Sequence, residues 1–347
     1  MDQPVMIKDG VYWIGALDPG LVVFDIVIPT KHGTTYNAYL VKGEKIAVIE
    51  TVKSYCVDGF ISKIRSLVRP EDIDYIIINH TEPDHSGGLI RLMELAPNAI
   101  PVFSRGARTF VKNILHKEFD YKEVKAGDSI DLGGKVLKFI SAPFLHWPDT
   151  MFTYLETDKI LFPCDAFGSH YCSDKRFNDE LDSKEDAFTA YEFYYDTILR
   201  PFKKHVIAAL DNIKDIDIDI IAPSHGPILR ENIEKYIDAY REWAGKTKKY
   251  PDKKKIVIIY VSSYGSTQKM AESIYRGACQ PDTDVTLLNA AEIDMDSLLD
   301  EIDASDGIIL GTPTLNAKAP KPIFDIISSL VTLNIRGKAA AVFGCYG

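Results

Sequence analysis

Residues 73–79, Ile-Asp-Tyr-Ile-Ile-Ile-Asn, run directly into His80-Thr81-Glu82-Pro83-Asp84-His85-Ser86-Gly87-Gly88. A short apolar run bounded by polar residues reads as a strand buried on both faces, and such a strand needs layers above and below it. The chain is therefore expected to build a layered α/β fold. The LIRLMEL stretch that follows reads as a helix, so the polar segment is a loop at the carboxyl end of a buried strand. Four ligand-type side chains fall within six residues of it. Imidazole nitrogen and carboxylate oxygen are the donors used for Zn, Fe or Mn. A solvated polar loop is the plain alternative, and the density of donors weighs against it.

Three later residues occupy equivalent positions. His146 follows the strand-like KVLKFISAP (135–143), Asp165 closes KILFPCD, and His225 follows DIDIIAPS (217–224). Each taken alone reads as a cap or a satisfied core residue. Together with the first motif they place seven donors at the carboxyl ends of strands, where one sheet edge can collect them. The surrounding pattern agrees with this. The first 30 residues read as short strands, and Lys42-Gly43-Glu44 joins two strand-like runs as a hairpin. Phe60, Ile61, Ile64 and Leu67 have helical spacing, and residues 183–213 are helical with an interruption at Pro201.

A length of 347 residues exceeds what a single core usually holds, so two domains are expected. The stretch GKTKKYPDKKK (245–255) carries six lysines, a proline and no apolar periodicity, which marks a boundary near residue 250 and domains at 1–250 and 251–347. Beyond it, strands and helices alternate as in a doubly wound parallel sheet. Four strands are legible. A five-stranded version would need one more strand and two helices, so this domain is expected to be incomplete at its C-terminus. Ser262, Ser263, Tyr264, Gly265, Ser266 and Thr267 lie between its first strand and first helix, a position suited to a phosphate. There is no G-x-G-x-x-G and no G-K-[ST], so neither a dinucleotide nor a nucleoside triphosphate is indicated. The loops GTPTLNA (311–317) and GCYG (344–347) follow the third and fourth strands. The net charge of −10 disfavours nucleic acid and anionic membrane as partners. The five cysteines contain no C-x-x-C. The first ten residues lack an apolar signal core, and no run of about 18 apolar residues occurs, so a cytoplasmic location is expected.

H-x-E-x-D-H followed by single His, Asp and His resembles the diiron site of the flavodiiron proteins, or A-type flavoproteins. That site is a variant of the metallo-β-lactamase H-x-H-x-D-H pattern. GTTYNAYLV, LHWPDTMFTY, DAFGS and PSHG carry the likeness across the whole first domain. The resemblance implies a metallo-β-lactamase-like αββα sandwich followed by a flavodoxin-like sheet. It further implies that His80, Glu82 and His146 hold the iron nearer the flavin, that Asp84, His85 and His225 hold the other, and that Asp165 bridges them. Glu82 stands where a hydrolase of this fold has His. Three carboxylates make a harder, more anionic set that suits two iron ions, although intrinsic affinity alone does not exclude zinc.

The three loops of the second domain resemble those that hold FMN in flavodoxin. The implied contacts are Ser262, Tyr264, Gly265, Ser266 and Thr267, then Pro313, Thr314, Leu315 and Asn316, then Gly344, Cys345, Tyr346 and Gly347. Tyr264, Leu315 and Tyr346 are the ring-contacting candidates. The implied activity is reduction of nitric oxide to nitrous oxide, or of dioxygen to water, with electrons passing through FMN from rubredoxin or another small carrier. The implied assembly is a head-to-tail homodimer or a dimer of dimers. Two alternatives are a zinc hydrolase with an accessory flavodoxin-like domain and an electron-transfer or flavin-storage protein with a vestigial metal site. His170 and Tyr195 lie near the ligand stretch, where they either supply a hydrogen bond or proton to the site or serve only the packing.

Overall fold

In the computed structural model, residues 3–116, 118–245 and 253–346 are described. The boundary expected near residue 250 and the FMN contact expected at Gly347 lie outside them. The chain divides into two compact units, one ending at Ala244 and the other beginning at Gly245. Among the described residues no helix is long and apolar enough to cross a membrane.

The first unit is built on two sheets. The larger takes the strands Val5–Lys8, Val11–Trp13, Tyr39–Lys42, Ile46–Ile49, Tyr75–Ile78, Ile100–Ser104 and Lys122–Val124 in that spatial order. It is antiparallel as far as Ile46–Ile49 and parallel beyond it. The smaller sheet runs Ser129–Asp131, Val136–Ser141, Met151–Leu155, Ile160–Phe162 and Ile220–Ile221. The period-2 alternation of strand side chains decides which layer each residue joins. Ala47, Ile49 and Ile77 face the second sheet, packing with Leu137, Phe139, Leu155 and Phe162. Their neighbours Val48, Ile76 and Ile78 face outward onto Phe60, Ile64, Leu89 and Leu92 of the helices Val57–Leu67 and Leu89–Leu95. Phe152, Tyr154 and Leu161 of the smaller sheet pack against Tyr191, Val206, Leu210 and Tyr240 on the helices Lys184–Tyr194, Lys203–Ile213 and Ile233–Gly245. The result is the layered αββα sandwich expected from the sequence.

The second unit is a parallel sheet ordered Thr283–Asn289, Lys254–Tyr260, Gly307–Pro313, Ala339–Cys345. Taken in chain order its strands stand 2-1-3-4, so the loops after strands one, three and four emerge side by side. Val257 and Ile259 pack against Leu298, Ile302, Ile323 and Ile326. Ile258 and Tyr260 pack on the other face with Ala271 of the helix Ser266–Ala278. Helices therefore cover both faces, as a doubly wound sheet requires.

Ile77 is fully buried in the layer between the two sheets of the first unit. Ile77→Ala leaves a cavity there and is expected to cost roughly 2–5 kcal/mol. Urea unfolding followed by tryptophan fluorescence measures it, because Trp13, Trp147 and Trp243 all belong to this unit. A midpoint within error of wild type would contradict the layer assignment.

Candidate metal centre

The seven expected donors converge. His80 sits two residues past the strand Tyr75–Ile78. Glu82 is the N-cap of the short helical turn Pro83–Ser86, whose proline presets the backbone angle of its first position. That turn divides the motif, because His80 and Glu82 precede it while Asp84 and His85 lie within it. His146 lies on the connection between Val136–Ser141 and Met151–Leu155. Asp165 lies three residues beyond Ile160–Phe162, and His225 lies four beyond Ile220–Ile221. Gly226, next to His225, has φ +78°, and a Cβ there would meet Ser169 Oγ at 2.1 Å. Only glycine fits this close approach.

The donors fall into two nests on either side of Asp165. In the first, Glu82 Oε2 lies 3.2 Å from His80 Nε2 and 2.9 Å from His146 Nε2. Asp165 Oδ2 faces the same two nitrogens at 3.6 and 3.7 Å. In the second, His85 Nε2 is 3.4 Å from Asp84 Oδ1, and His225 Nε2 is 3.1 Å from Asp84 Oδ2. Here the other Asp165 oxygen, Oδ1, lies 3.0 Å from His85 Nε2 and 3.5 Å from His225 Nε2. The second nest is sealed, whereas the side chains of Glu82 and His146 keep 13% and 20% of their surface open.

Several neighbours were not singled out by the sequence reading. Asp149 faces His80 Nδ1 at 3.2 Å, on the side of the ring away from the nest. Glu50 accepts the Asn79 N–H at 2.6 Å, and its Oε2 lies 3.8 Å from His85 Nδ1. The Tyr194 hydroxyl donates to Asp165 Oδ1 at 3.1 Å. Glu50 had a usable signal, since it follows the apolar strand Ile46–Ile49 just as the other donors follow theirs. Of the two undecided residues, His170 is buried beside the second nest, with Nδ1 2.9 Å from Thr34 Oγ1 and its ring against Phe24 and Tyr194. Tyr195 turns away to pack on Tyr240 and Trp243.

The electrostatics of the cluster suit cations. Burial pushes carboxylates up, yet His85 and His225 hold Asp84 below its ordinary value. His85 and His80 likewise hold Asp165 well below its own. Burial opposes charge on His80, but its hydrogen bonds to Asp149 and Glu82 win and raise it to about 10. Both oxygens of Asp84, Oδ2 of Asp165 and Nε2 of His85 are buried without a hydrogen-bond partner. Such atoms are costly in a protein interior unless an ion completes them. His80, Glu82, His85 and Asp165 are close enough to share an ion, and so are Asp84, His85 and His225, with His85 common to both groups. The donor set therefore fits a pair of divalent cations.

In the second unit, the backbone from Ser262 to Gly265 leads into the helix Ser266–Ala278, whose N-cap, Gly265, has φ +83° and makes no side-chain cap. The first-turn N–H groups are thus left for an anion. Tyr264, Leu315 and Tyr346 project into solvent from three adjacent strand ends. Thr267 is buried, its hydroxyl 3.2 Å from Cys345 Sγ, which ties the first loop to the third. Thr314 N–H donates to the Cys345 carbonyl and links the second loop to the third.

An αββα sandwich with a two-nest donor cluster, followed in the chain by a flavodoxin-type sheet, defines a metal-containing flavoprotein. The model of the ODP family beta lactamases matches residues 34–226, and that of the flavodoxins matches residues 258–347. The flavo-diiron protein FprA2 of Clostridium acetobutylicum is 42% identical over 99% of this chain and 87% of its own. The nitric oxide reductase of Moorella thermoacetica is 38% identical over 100% of this chain and 87% of its own. Among solved structures, rubredoxin oxygen:oxidoreductase from Desulfovibrio gigas superimposes with a TM-score of 0.78 at 29% identity, over 99% of this chain and 86% of that one. The chain belongs to the flavodiiron proteins, oxidoreductases that carry FMN and a non-haem diiron centre.

Cation loading is expected to release protons, because His80 and His85 are held protonated by their carboxylate neighbours. Asp149 and Glu82 raise His80 to about 10, so its proton is bound at pH 7 and must leave. Affinity should therefore rise with pH up to that value. Titration calorimetry in buffers of different ionisation enthalpy measures the release, and identical apparent enthalpies would contradict it.

Proposed function

We propose that this chain reduces nitric oxide to nitrous oxide, or dioxygen to water, or both, at a pair of iron ions. The observation that supports this reading is the way the two oxygens of Asp165 face separate imidazole–carboxylate nests. His80, Glu82 and His146 would hold one ion and Asp84, His85 and His225 the other, with Asp165 shared. Two ferrous ions bound there supply Lewis acidity and electrons to a small diatomic. Glu82 and His146, being partly open, form the side from which that diatomic arrives. Tyr194 fixes the shared carboxylate by donating to Oδ1, while His225 is held from behind by the Thr35 carbonyl at 2.6 Å from its Nδ1. Ser262, Gly265, Ser266 and Thr267 would hold the FMN phosphate and Tyr264, Leu315 and Tyr346 would flank its ring, which gives the site a one-electron relay.

The expected donor is rubredoxin or another small redox protein, the expected assembly a head-to-tail homodimer, and the expected compartment the cytoplasm. The hydrolase alternative is disfavoured by Glu82, whose carboxylate replaces a softer imidazole, and by relatives named as a nitric oxide reductase and a rubredoxin oxygen:oxidoreductase.

Protein purified without oxygen should contain two irons and one FMN, and should consume NO, O2 or both when given reduced rubredoxin. Asp165→Ala should lose most of the iron and nearly all turnover while keeping its FMN. Two zincs in place of iron, or full turnover in the variant, would overturn the reading.

A further inference from the structure

Asp149 is fully buried, and its carboxylate collects three donors. Oδ2 accepts from the Thr81 N–H at 2.8 Å and from the Thr81 hydroxyl at 2.7 Å. His80 Nδ1 lies 3.2 Å from Oδ1 and 3.3 Å from Oδ2. An acceptor behind an imidazole fixes both its tautomer and its direction. The ring's other nitrogen, Nε2, is thereby aimed at Glu82 and Asp165. Thr81 stands between His80 and Glu82, so the same carboxylate also pins the backbone that carries Glu82.

The third donor of this nest is tied to Asp149 through the chain. His146 lies three residues earlier, on a short connection closed on both sides. Thr150 donates to the Trp147 carbonyl from its N–H at 3.3 Å and from its hydroxyl at 3.1 Å. The Ser104 hydroxyl donates to the Asp149 carbonyl at 2.6 Å, and the Met151 N–H donates to the Asn79 carbonyl at 3.0 Å. Asp149 thus joins the loop bearing His80 and Glu82 to the loop bearing His146.

The second nest is held by other groups. The Thr51 N–H and hydroxyl both donate to the His85 carbonyl, at 2.9 and 2.6 Å, and His225 leans on Thr35. Among the described residues, the hydrogen-bond partners of Asp149 are His80, Thr81 and Ser104, none of which belongs to the second nest.

We infer that Asp149 is the positioning residue for one cation of the pair only, the one held by His80, Glu82 and His146. The inference rests on the two-cation reading above. Without Asp149 the His80 ring loses the acceptor behind it, and the Thr81 N–H and hydroxyl lose theirs, while the sealed nest keeps its own supports. The two cations therefore come apart in affinity, and a chain with a single metal becomes accessible.

The test is a Co(II) titration of the metal-free, FMN-loaded full chain, read by d–d absorption and by bound metal. Wild type should bind two Co(II). Asp149→Ala should bind one with wild-type affinity and the second about 10- to 100-fold more weakly, with part of the d–d spectrum missing. Asp149→Asn keeps one acceptor and should fall between. Thr81→Val removes a single hydrogen bond, leaves the fold's core untouched and should weaken the same cation by a smaller factor. If Asp149→Ala does not fold, the other two variants decide. Equal weakening of both cations, or no weakening in either milder variant, would overturn the assignment. A wild-type chain that takes fewer than two Co(II) would instead sink the two-cation reading, and this inference with it.

Discussion

One buried carboxylate with its two oxygens turned toward different imidazoles is the constraint on which the first unit depends. Among the described residues Asp165 has no Lys or Arg beside it; His80 and His146 face one oxygen, and His85 and His225 face the other. Holding it requires residues far apart in the chain to arrive at one point. The sandwich achieves this because each donor follows a strand, and those strands end at a common edge. The apolar alternation that separates Ile77 from Ile76 and Ile78 is therefore also what positions the chemistry. A one-residue slip in that strand would turn its inner face outward and take His80 with it.

Much of this was legible from residue order. His80, Glu82, Asp84 and His85 form a dense cluster directly after an apolar run, and His146, Asp165 and His225 each follow another. The strand–helix alternation beyond residue 253 was equally readable, and the 2-1-3-4 strand order then sets its three candidate cofactor loops side by side. Glu50 was legible only as one more acid after an apolar strand, and Asp149 not at all. The meaning of each lies in an imidazole that only the tertiary fold brings up against it.

The tyrosine pair shows a finer limit. Periodicity marks residues 183–213 as helical, but it does not say which of two adjacent tyrosines faces the site. Tyr194 ends a regular helix, and from Tyr195 to Leu199 the backbone widens to a π-helical turn. Neighbouring helical residues point roughly 100° apart, so one ring reaches Asp165 while the other joins Tyr240 and Trp243. Widened turns of this kind recur at functional sites, and here the turn begins directly after the tyrosine that holds the shared carboxylate.

The central claim is that Asp165 separates and joins two iron ions. Diffraction from crystals grown without oxygen, recorded on either side of the iron absorption edge, tests it most directly. The account expects two anomalous peaks per chain, one bonded to each oxygen of Asp165, with His80 and His146 on one peak and His85 and His225 on the other. A single peak, or two peaks that share neither oxygen of Asp165, would contradict it.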